Sequence, residues 1–240
     1  MGPYRRVLLK LSGEALMGAG QYGIDPAVLE ATAEEVRAAA SGTGIAIVIG
    51  GGNIFRGVST SAENMDRAQA DLMGMLATVL NALALADALG RKGMRAHVQS
   101  ALPVGYAVAP FERHKALALL DRGDVVIFAA GTGNPFFTTD TAAAVRALEV
   151  RADIMLKATR VDGVYSADPE RDPQAVRYRR LSYDEALRRR LGVMDQTAIA
   201  LLRENRMPLR VFNMTTKGML AKILAGEDQG TLVEEGAESE

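Results

Sequence analysis

Apolar runs alternate with amphipathic stretches along most of the chain, a pattern that indicates strands separated by helices. The apolar runs predict strands over residues 4–11, 44–49, 94–98, 124–129, 153–157 and 209–212. The amphipathic stretches predict helices over residues 26–40, 64–89, 112–121, 141–149, 196–204 and 216–224. Short, continuous apolar runs are typical of strands buried on both faces. We therefore predict an α/β protein with three α/β/α layers and a mostly parallel central sheet.

The texture of the chain changes near residue 159. Residues 160–180 contain VDGVY, ADPE and RDP, whose Gly, Asp and Pro residues favour turns, so we expect a hairpin and loops there. Ser182 and Glu185 have the spacing of a capping box that begins another helix. We interpret residues 1–240 as a single domain, with one lobe over about 1–158 and a second over about 159–240.

The composition excludes several kinds of site. The chain has no cysteine, and its two histidines are His97 and His114. Disulfides, iron–sulfur clusters, thiolate zinc sites and a cysteine nucleophile are therefore excluded, and a multi-histidine metal site has little scope. A hard cation such as Mg²⁺, held by oxygen ligands and substrate phosphates, remains compatible with the sequence.

Charge is distributed unevenly along the chain. The 28 basic and 29 acidic residues give a net charge of -1, but six acidic residues lie in 227–240, so residues 1–226 carry +5. We interpret the acidic end as a solvated, partly frayed terminus. The near balance of charge argues against a nucleic-acid partner bound by bulk charge.

No targeting or membrane-spanning segment is predicted. The short N-terminal apolar run is broken by Lys10, unlike a secretory leader. The longest uncharged apolar-rich stretch, residues 72–86, has 15 residues and is too short to cross a bilayer comfortably. A buried helix or a subunit-interface helix is expected instead, in a cytoplasmic protein without a membrane partner.

Glycine-rich turns follow three of the predicted strands. Ser12 and Gly13 follow the first strand, residues 50–53 (GGGN) the second, and residues 131–135 (GTGNP) the fourth. In an open parallel sheet such turns lie at the carboxyl edge, where ligands bind. A single turn of this kind is more often a tight strand–helix connection, but glycine also lets backbone N–H groups approach a phosphate closely. Three turns at one edge predict a phosphate site.

Two familiar nucleotide motifs do not explain this pattern. The chain has no G-x-x-x-x-G-K-[ST], so it is not a P-loop enzyme. Residues 18–23 (GAGQYG) match G-x-G-x-x-G, but residues 12–17 separate them from the first strand, and the second strand ends in GGG without an acid. A nicotinamide site requires both features, so we interpret residues 18–23 as a mobile loop or an effector contact.

Lysine is rare, and two lysines occupy informative positions. Of the 28 basic residues only six are Lys, and Lys10 and Lys157 lie at or near the ends of predicted core strands. Strand-end lysines are often simply solvated. Here, however, the following turns place both near the glycine-rich edge, where a compact charge suits a transferring phosphoryl group. Arg56, three residues after Asn53, suits bidentate clamping of a phosphate.

Five segments together resemble a known family: KLSGE at 10–14, GGGNIFRG at 50–57, DLMGMLATVLNALAL at 71–85, GTGNPFFTTD at 131–140 and KATRVDGVYSADP at 157–169. They are similar to the bacterial-type uridylate kinases (UMP kinases) of the amino acid kinase superfamily, over about residues 4–232. The resemblance implies the amino acid kinase-like fold, with a UMP-binding and oligomerisation lobe followed by an ATP-binding lobe. It also implies conversion of ATP and UMP to ADP and UDP in pyrimidine nucleotide biosynthesis, with Mg²⁺, in a homohexamer that GTP activates and UTP inhibits.

The resemblance also assigns residues by position. Those on the ATP side are Lys10, Leu11, Ser12, Gly13, Gly52, Arg56, Thr159, Tyr165 and Asp168. Those on the UMP side are Gly51, Asp71, Thr132, Gly133, Asn134, Pro135, Phe136, Phe137, Thr138 and Thr139. The residues that match the GTP-effector stretch are Gly18, Ala19, Gly20, Gln21, Tyr22 and Gly23. The candidates for catalysis are Lys10, Arg56, Asp140 and Lys157.

Several of these residues have a plainer structural interpretation. Asp140 is expected to orient Lys10 or Mg²⁺, or to cap the helix predicted over 141–149, or to do both. Asp71 is expected to accept hydrogen bonds from ribose hydroxyls, with an exposed ion pair to Arg67 as the alternative. Phe136 and Phe137 could instead pack against the sheet.

Two other functions stay open at this point. One is an amino-acid or carbamate kinase of the same superfamily. The other is a non-catalytic nucleotide- or anion-binding protein, because relatives of this fold include a molybdenum-storage protein. Lys10 and Asp140 favour catalysis over the second alternative.

Overall fold

The computed structural model describes residues 2–55, 65–169, 171–172 and 174–236. Its strands are β1 (Arg6–Leu11), β2 (Gly44–Ile49), β3 (Ala96–Ser100), β4 (Ala109–Pro110), β5 (Val125–Ala129), β6 (Ile154–Thr159), β7 (Arg180–Ser182), β8 (Leu209–Asn213) and β9 (Thr231–Glu234). Its helices are α1 (Pro26–Ala39), α2 (Arg67–Arg91), α3 (Arg113–Asp121), α4 (Thr139–Glu149), α5 (Tyr183–Arg188), α6 (Gln196–Glu204) and α7 (Met219–Leu224). A short 3₁₀ helix covers Gly13–Met17.

The strands form one sheet in the order β4-β3-β5-β2-β1-β6-β8-β9-β7, nine strands among the described residues. Every neighbouring pair is parallel except β8 and β9. The residue-158 boundary between the two expected lobes falls inside β6, so both lobes would share this sheet. The predicted three-layer, mostly parallel α/β fold is confirmed.

Two apolar layers cover the two faces of the sheet. One contains buried residues of α1, α2 and α7, and the other contains those of α3, α4, α5 and α6. On β1, Val7, Leu9 and Leu11 face the first layer, and Leu8 faces the second. Lys10 therefore points towards the layer of α4, because side chains alternate along a strand.

The strand order brings the three glycine-rich turns together. β5, β2, β1 and β6 are consecutive neighbours in the sheet and run in parallel. The turns after β1, β2 and β5 therefore leave the same edge, as expected from the sequence. Gly50 N donates to the Leu11 carbonyl at 2.9 Å, which joins two of these turns directly.

Some predicted boundaries were wrong. β1 begins at Arg6 instead of residue 4, and α4 begins at Thr139 instead of residue 141. β3 lies two residues later than predicted because α2 runs to Arg91, and the Met94 amide still donates to the Leu89 carbonyl. The short strands β4, β7 and β9 were not predicted, because two to four residues carry too little periodicity to identify a strand.

The acidic terminus was expected to be solvated and partly frayed, and the fraying is wrong for residues 231–234. β9 pairs with β8 and β7 inside the sheet, and Val233 is fully buried. Asp228 accepts hydrogen bonds from Arg179 and Arg210, and Glu234 pairs with Arg180. Asp228 and Glu234 therefore pair with arginines of neighbouring elements, while Glu227, Asp228 and Glu235 are exposed to solvent, as expected.

Helix α2 extends beyond the uncharged stretch of residues 72–86 at both ends. Its 25 residues are long and apolar enough to cross a membrane by length and composition, and half of its most apolar window is buried inside the protein. Leu76, Leu80 and Leu83 on this helix are exposed. The length of α2 does not distinguish a membrane-spanning helix from a core helix. Its partial burial favours a core helix, with one apolar face left exposed.

Candidate active site

Lys10, Asp140 and Lys157 form a buried cluster of charges at the glycine-rich edge. Lys10 on β1 lies directly opposite Lys157 on β6 in the parallel register, so both side chains point to the same face. The Nζ of Lys10 is 2.6 Å from Oδ1 of Asp140, and the Nζ of Lys157 donates to Oδ2 at 2.8 Å. The three side chains are 10–14% exposed. One carboxylate thus orients two ammonium groups, and the cluster keeps a net positive charge.

Burial and charge compete within this cluster. Burial raises the pKa of Asp140, but the charges and hydrogen bonds of Lys10 and Lys157 together outweigh it, so the pKa lies below 3.8. Burial lowers the pKa of Lys157; Asp140 opposes this effect and Lys10 adds to it, so the pKa lies below 10.5. Asp140 is therefore held as a carboxylate, which fixes the two lysines in place.

The N-terminus of α4 positions Asp140. Asp140 is the second residue of this helix, and the helix is capped by Thr138, whose Oγ1 accepts from the amides of Asp140 and Thr141. The interpretation of Asp140 as the helix cap is therefore wrong. As an acid in the first turn it still interacts favourably with the helix dipole, while its carboxylate remains available to the lysines.

Asp71 connects α2 to the turn after β5. Its Oδ2 accepts from the Phe136 amide at 2.8 Å, and it also pairs with Arg67 at 2.9 Å. The proposed ion pair is therefore present, and a second contact that the sequence did not indicate accompanies it. Asp71 and the residues assigned to UMP in loop 131–137 lie together at one side of the edge.

Loop 131–137 has an unusual backbone and an exposed aromatic tip. Gly131 and Gly133 have φ values of 58° and 78°, and Phe136 has φ 71°. Thr132 Oγ1 accepts from the Asn134 amide at 3.1 Å and stabilises the turn. Phe136 and Phe137 are 66% and 50% exposed, so the interpretation that they pack against the sheet is wrong.

The three residues assigned to adenosine lie at the end of β6 and in the segment that follows it. Thr159 Oγ1 donates to the Val161 carbonyl at 2.6 Å, and the Tyr165 hydroxyl donates to Asp162. Tyr165 also forms an antiparallel bridge with Arg177, which confirms the predicted hairpin. Asp168 pairs with Arg171 at 3.4 Å.

Loop 18–23 lies next to the turns assigned to ATP. A cleft of about 540 Å³ is lined by Glu14, Met17, Gly18, Ala19, Gly20, Gln21, Gly52 and Arg160. Across it, Arg160 Nη2 donates to the Glu14 carbonyl at 3.2 Å. Residues assigned to an effector thus share a cleft with Gly52. Arg56, assigned to the ATP side, lies outside the described residues.

Sequence reasoning missed a loop that supports the cluster. The Val193 carbonyl accepts from Lys157 Nζ at 2.6 Å, and Asp195 accepts from the hydroxyls of Thr138 and Thr141. Asp195 also caps α6. An acid before a helix is a capping signal that could have been read from the sequence. The contact with α4 could not, because it depends on how two distant helices pack.

The described residues contain no group of three or more His, Asp or Glu side chains that could hold a metal ion by themselves. Mg²⁺ commonly uses one or two carboxylates together with substrate phosphates, so a single protein carboxylate beside a bound nucleotide would fit it. Asp140 is the carboxylate of the cluster and is the residue that could contribute.

Comparison with known proteins agrees with this arrangement. Residues 5–213 match the model of the amino acid kinase family. The structure is similar to the UMP kinase from Bacillus anthracis, with a TM-score of 0.94, 39% identity and 98% of each chain covered. It is also similar to the UMP kinase from Ureaplasma parvum, with a TM-score of 0.90 and 37% identity over 96% of this chain and 99% of that one.

A more distant solved structure shares the fold as well. The uridylate kinase from Archaeoglobus fulgidus matches with a TM-score of 0.74 and 30% identity, over 97% of this chain and 100% of that one. The resemblance that was inferred from the sequence motifs is thereby confirmed. The chain belongs to the amino acid kinase family, and within that family it is similar to the UMP kinases.

Proposed function

We propose that the protein transfers the γ-phosphoryl group of ATP to UMP, giving ADP and UDP, in pyrimidine nucleotide biosynthesis. The observation that carries this proposal is the Lys10–Asp140–Lys157 cluster at the edge where three glycine-rich turns meet. The choice of UMP over other acceptors rests on the 37–39% identity to UMP kinases over almost the whole chain.

The chemistry needs positioning more than proton transfer. A phosphate oxygen of UMP forms a bond to the γ-phosphorus of ATP, and the bond from that phosphorus to the β–γ bridging oxygen breaks, so ADP leaves. The attacking oxygen is already ionised near neutral pH, because the second pKa of a phosphate monoester is about 6. No general base is required. The catalyst must align the two nucleotides and offset negative charge.

Within this proposal the cluster supplies the charge. Lys10 and Lys157 face the transferring group, and Asp140 holds both ammonium groups in place. Because the side chains are mostly buried, their charges are screened less than they would be in water. Mg²⁺, when bound with ATP, would neutralise phosphate charge, with Asp140 as the protein carboxylate that fits it.

The two nucleotides take opposite sides of the edge. ATP is assigned to Lys10, Leu11, Ser12, Gly13, Gly52, Arg56, Thr159, Tyr165 and Asp168. UMP is assigned to Gly51, Asp71 and residues 132–139. This division is supported by geometry: Asp71 contacts loop 131–137, while Thr159 ends the strand that carries Lys157. The division into a UMP-binding lobe and an ATP-binding lobe is part of the same proposal.

We further propose a homohexamer in the cytoplasm, with GTP as activator through residues 18–23 and UTP as inhibitor. The exposed Leu76, Leu80 and Leu83 on α2 support a subunit contact on that helix, since a row of exposed leucines favours burial against another chain. Light scattering of the purified protein measures the assembly. A monomer at micromolar concentration would reject the proposed homohexamer.

The decisive assay couples ADP release to a detectable signal, with UMP, CMP, N-acetylglutamate and carbamate as separate acceptors. We expect turnover with UMP that exceeds turnover with each other acceptor. Preferential turnover with N-acetylglutamate or carbamate would identify a different kinase of the family. Nucleotide binding without turnover of any acceptor would identify a non-catalytic binding protein.

A further inference from the structure

Two buried asparagines form a reciprocal pair behind the glycine-rich turns. Asn53 lies in the turn after β2 and Asn81 in the middle of α2, and they are 1% and 0% exposed. Asn53 Nδ2 donates to Asn81 Oδ1 at 2.9 Å, and Asn81 Nδ2 donates to Asn53 Oδ1 at 2.7 Å. A buried amide without partners is costly, so the paired geometry is strongly favoured over separation.

The pair also holds backbone groups of two loops. Asn81 Nδ2 donates to the Gly50 carbonyl at 2.6 Å, at the end of β2. Asn53 Nδ2 donates to the Gly23 carbonyl at 2.9 Å, and the Gly23 amide donates back to the Asn53 carbonyl at 2.8 Å. Asn81 is therefore linked directly to the turn after β2 and, through Asn53, to loop 18–23.

The groups that Asn81 holds form the wall behind Gly13. A Cβ on Gly13 would lie 2.6 Å from Asn53 Oδ1 and 2.6 Å from the Gly50 carbonyl oxygen. No side chain fits at such distances. The phosphate-side turn after β1 therefore rests directly on the two oxygens that Asn81 contacts, and their positions set the position of Gly13.

The same face of α2 reaches the turn after β5. Thr78, one helical turn before Asn81, accepts from the Ala130 amide at 2.7 Å through its Oγ1. Like Asn81, Thr78 is a buried polar residue in the uncharged stretch of α2. Thr78 and Asn81 thus both contact turns at the nucleotide edge.

We propose that Asn81 is a positioning residue for phosphoryl transfer, and this proposal rests on the proposed function. Asn81 acts through Asn53 and Gly50, which set the position of Gly13 and Gly52 against the ATP phosphates. The effect should be larger on the ATP side, because Gly51 is the one residue of the turn after β2 that is assigned to UMP, and Asp71 holds loop 131–137 of the UMP side by a separate contact with the Phe136 amide. A small displacement of aligned reactants is sufficient to slow transfer strongly.

The test compares Asn81→Ala with Leu85→Ala. Leu85 is fully buried one turn further along α2, belongs to the apolar core and contributes no side-chain polar group. For Asn81→Ala we expect kcat to fall by about 30-fold and the Kd for ATP to rise by about tenfold, since misplacement of about 1 Å costs up to about 100-fold. The Kd for UMP should change by less than about threefold. In Leu85→Ala, kcat, the Kd for ATP and the Kd for UMP should each change by less than about threefold.

Three outcomes would overturn the proposal. One is a kcat and an ATP affinity for Asn81→Ala that match those of Leu85→Ala, since Asn81 would then be only a core residue. Another is an Asn81→Ala variant in which the affinities for ATP and for UMP fall by the same factor. The third is additive loss of ATP affinity in the Asn53→Ala, Asn81→Ala double-mutant cycle, because residues that act through one another must be coupled. If Asn81→Ala does not fold, Asn81→Ser is measured against the same criteria.

Failure of the proposed function gives a different result. If the unaltered protein does not phosphorylate UMP, the proposed function is rejected. The ATP affinity of the Asn81 variants still tests the role of Asn81, because equilibrium binding requires no turnover. Normal turnover by the unaltered protein together with unchanged Asn81 variants rejects the positioning role alone.

Discussion

The Lys10–Asp140–Lys157 cluster and the segment of residues 160–179 both lie near the carboxyl end of β6, but they are built in different ways. The cluster joins three core elements, and its side chains are almost fully buried. In the segment, Tyr165 contacts Asp162, and Asp168 contacts Arg171, within a few residues and near solvent. Substitution in the cluster should therefore affect stability and chemistry together, whereas substitution of Tyr165 or Asp168 should affect only the affinity for ATP.

The largest expected effect is that of Lys10→Ala. Removing a charge that faces the transferring phosphoryl group should lower kcat by about 1,000-fold, in line with the loss of one preorganised electrostatic group. UMP binding should remain measurable, because the residues assigned to UMP are elsewhere. Stopped-flow turnover and calorimetric UMP binding measure the two effects.

The control for Lys10 is Lys92→Ala, which removes a lysine that pairs with Glu30 at the surface. It should leave kcat within about twofold, because surface ion pairs contribute little. A near-normal rate in Lys10→Ala would remove Lys10 from the chemistry.

The next effect is that of Asp140→Asn. This change leaves two buried ammonium groups without their carboxylate, so the free energy of unfolding should fall by about 3 kcal/mol, and turnover should fall with it. Urea denaturation measures the first effect. Glu235→Gln removes an exposed partner of Arg206 and should cost less than about 1 kcal/mol. Equal costs for both variants would mean that the cluster is not buried in solution.

The pH dependence of stability tests the contact of Asp140 with Lys10 and Lys157. The pKa of Asp140 is lower in the folded protein than its ordinary value of 3.8, so the unfolded chain binds the proton more readily. The stability that this group contributes is therefore present above pH 3.8 and is lost as the pH falls below that value through the folded pKa. The difference in Tm between the unaltered protein and Asp140→Asn should narrow over this window. A difference that stays constant as the pH falls would contradict the assigned shift.

A more selective effect is expected for Asp71→Ala. Loss of the contact with the Phe136 amide, and of the group assigned to the ribose, should raise the KM for UMP by about 10- to 100-fold, because each hydrogen bond to a charged group contributes about 1.5–3 kcal/mol. The KM for ATP should change little. Arg67→Ala is the matched control, since it removes only the exposed ion pair. Unchanged UMP affinity in Asp71→Ala would leave Asp71 with the structural role alone.

The smallest effect should come from the segment of residues 160–179. Tyr165→Phe removes the hydroxyl that donates to the Asp162 carboxylate and leaves the ring. The KM for ATP should rise by no more than about fivefold, because solvent weakens a hydrogen bond to an exposed charge. The Tm should stay within about 1 °C, because the contact is local and exposed. A large loss of stability would mean that the Tyr165 hydroxyl supports the core, and the contrast with the cluster would disappear.

The chain itself determined most of the architecture. Apolar runs with glycine after three of them sufficed to predict the parallel sheet and the edge where phosphates would bind, because period and turn chemistry are local properties. The motifs also sufficed to identify the family, and similarity to solved UMP kinases confirmed it. Lys10, Lys157 and Asp140 could be named as candidates for the same reason.

Tertiary structure decided which of these residues meet. That one carboxylate contacts both lysines follows from the register of β1 against β6 and from the start of α4, which Thr138 caps. The acidic C-terminal residues have an ordered conformation because of β9, a strand too short to be predicted from its hydrophobic periodicity. The Asn53–Asn81 pair joins residues 28 positions apart, and nothing in the local sequence of either indicates the other as its partner. Such contacts depend on which faces pack together, and the local periodicity of a chain does not encode that choice.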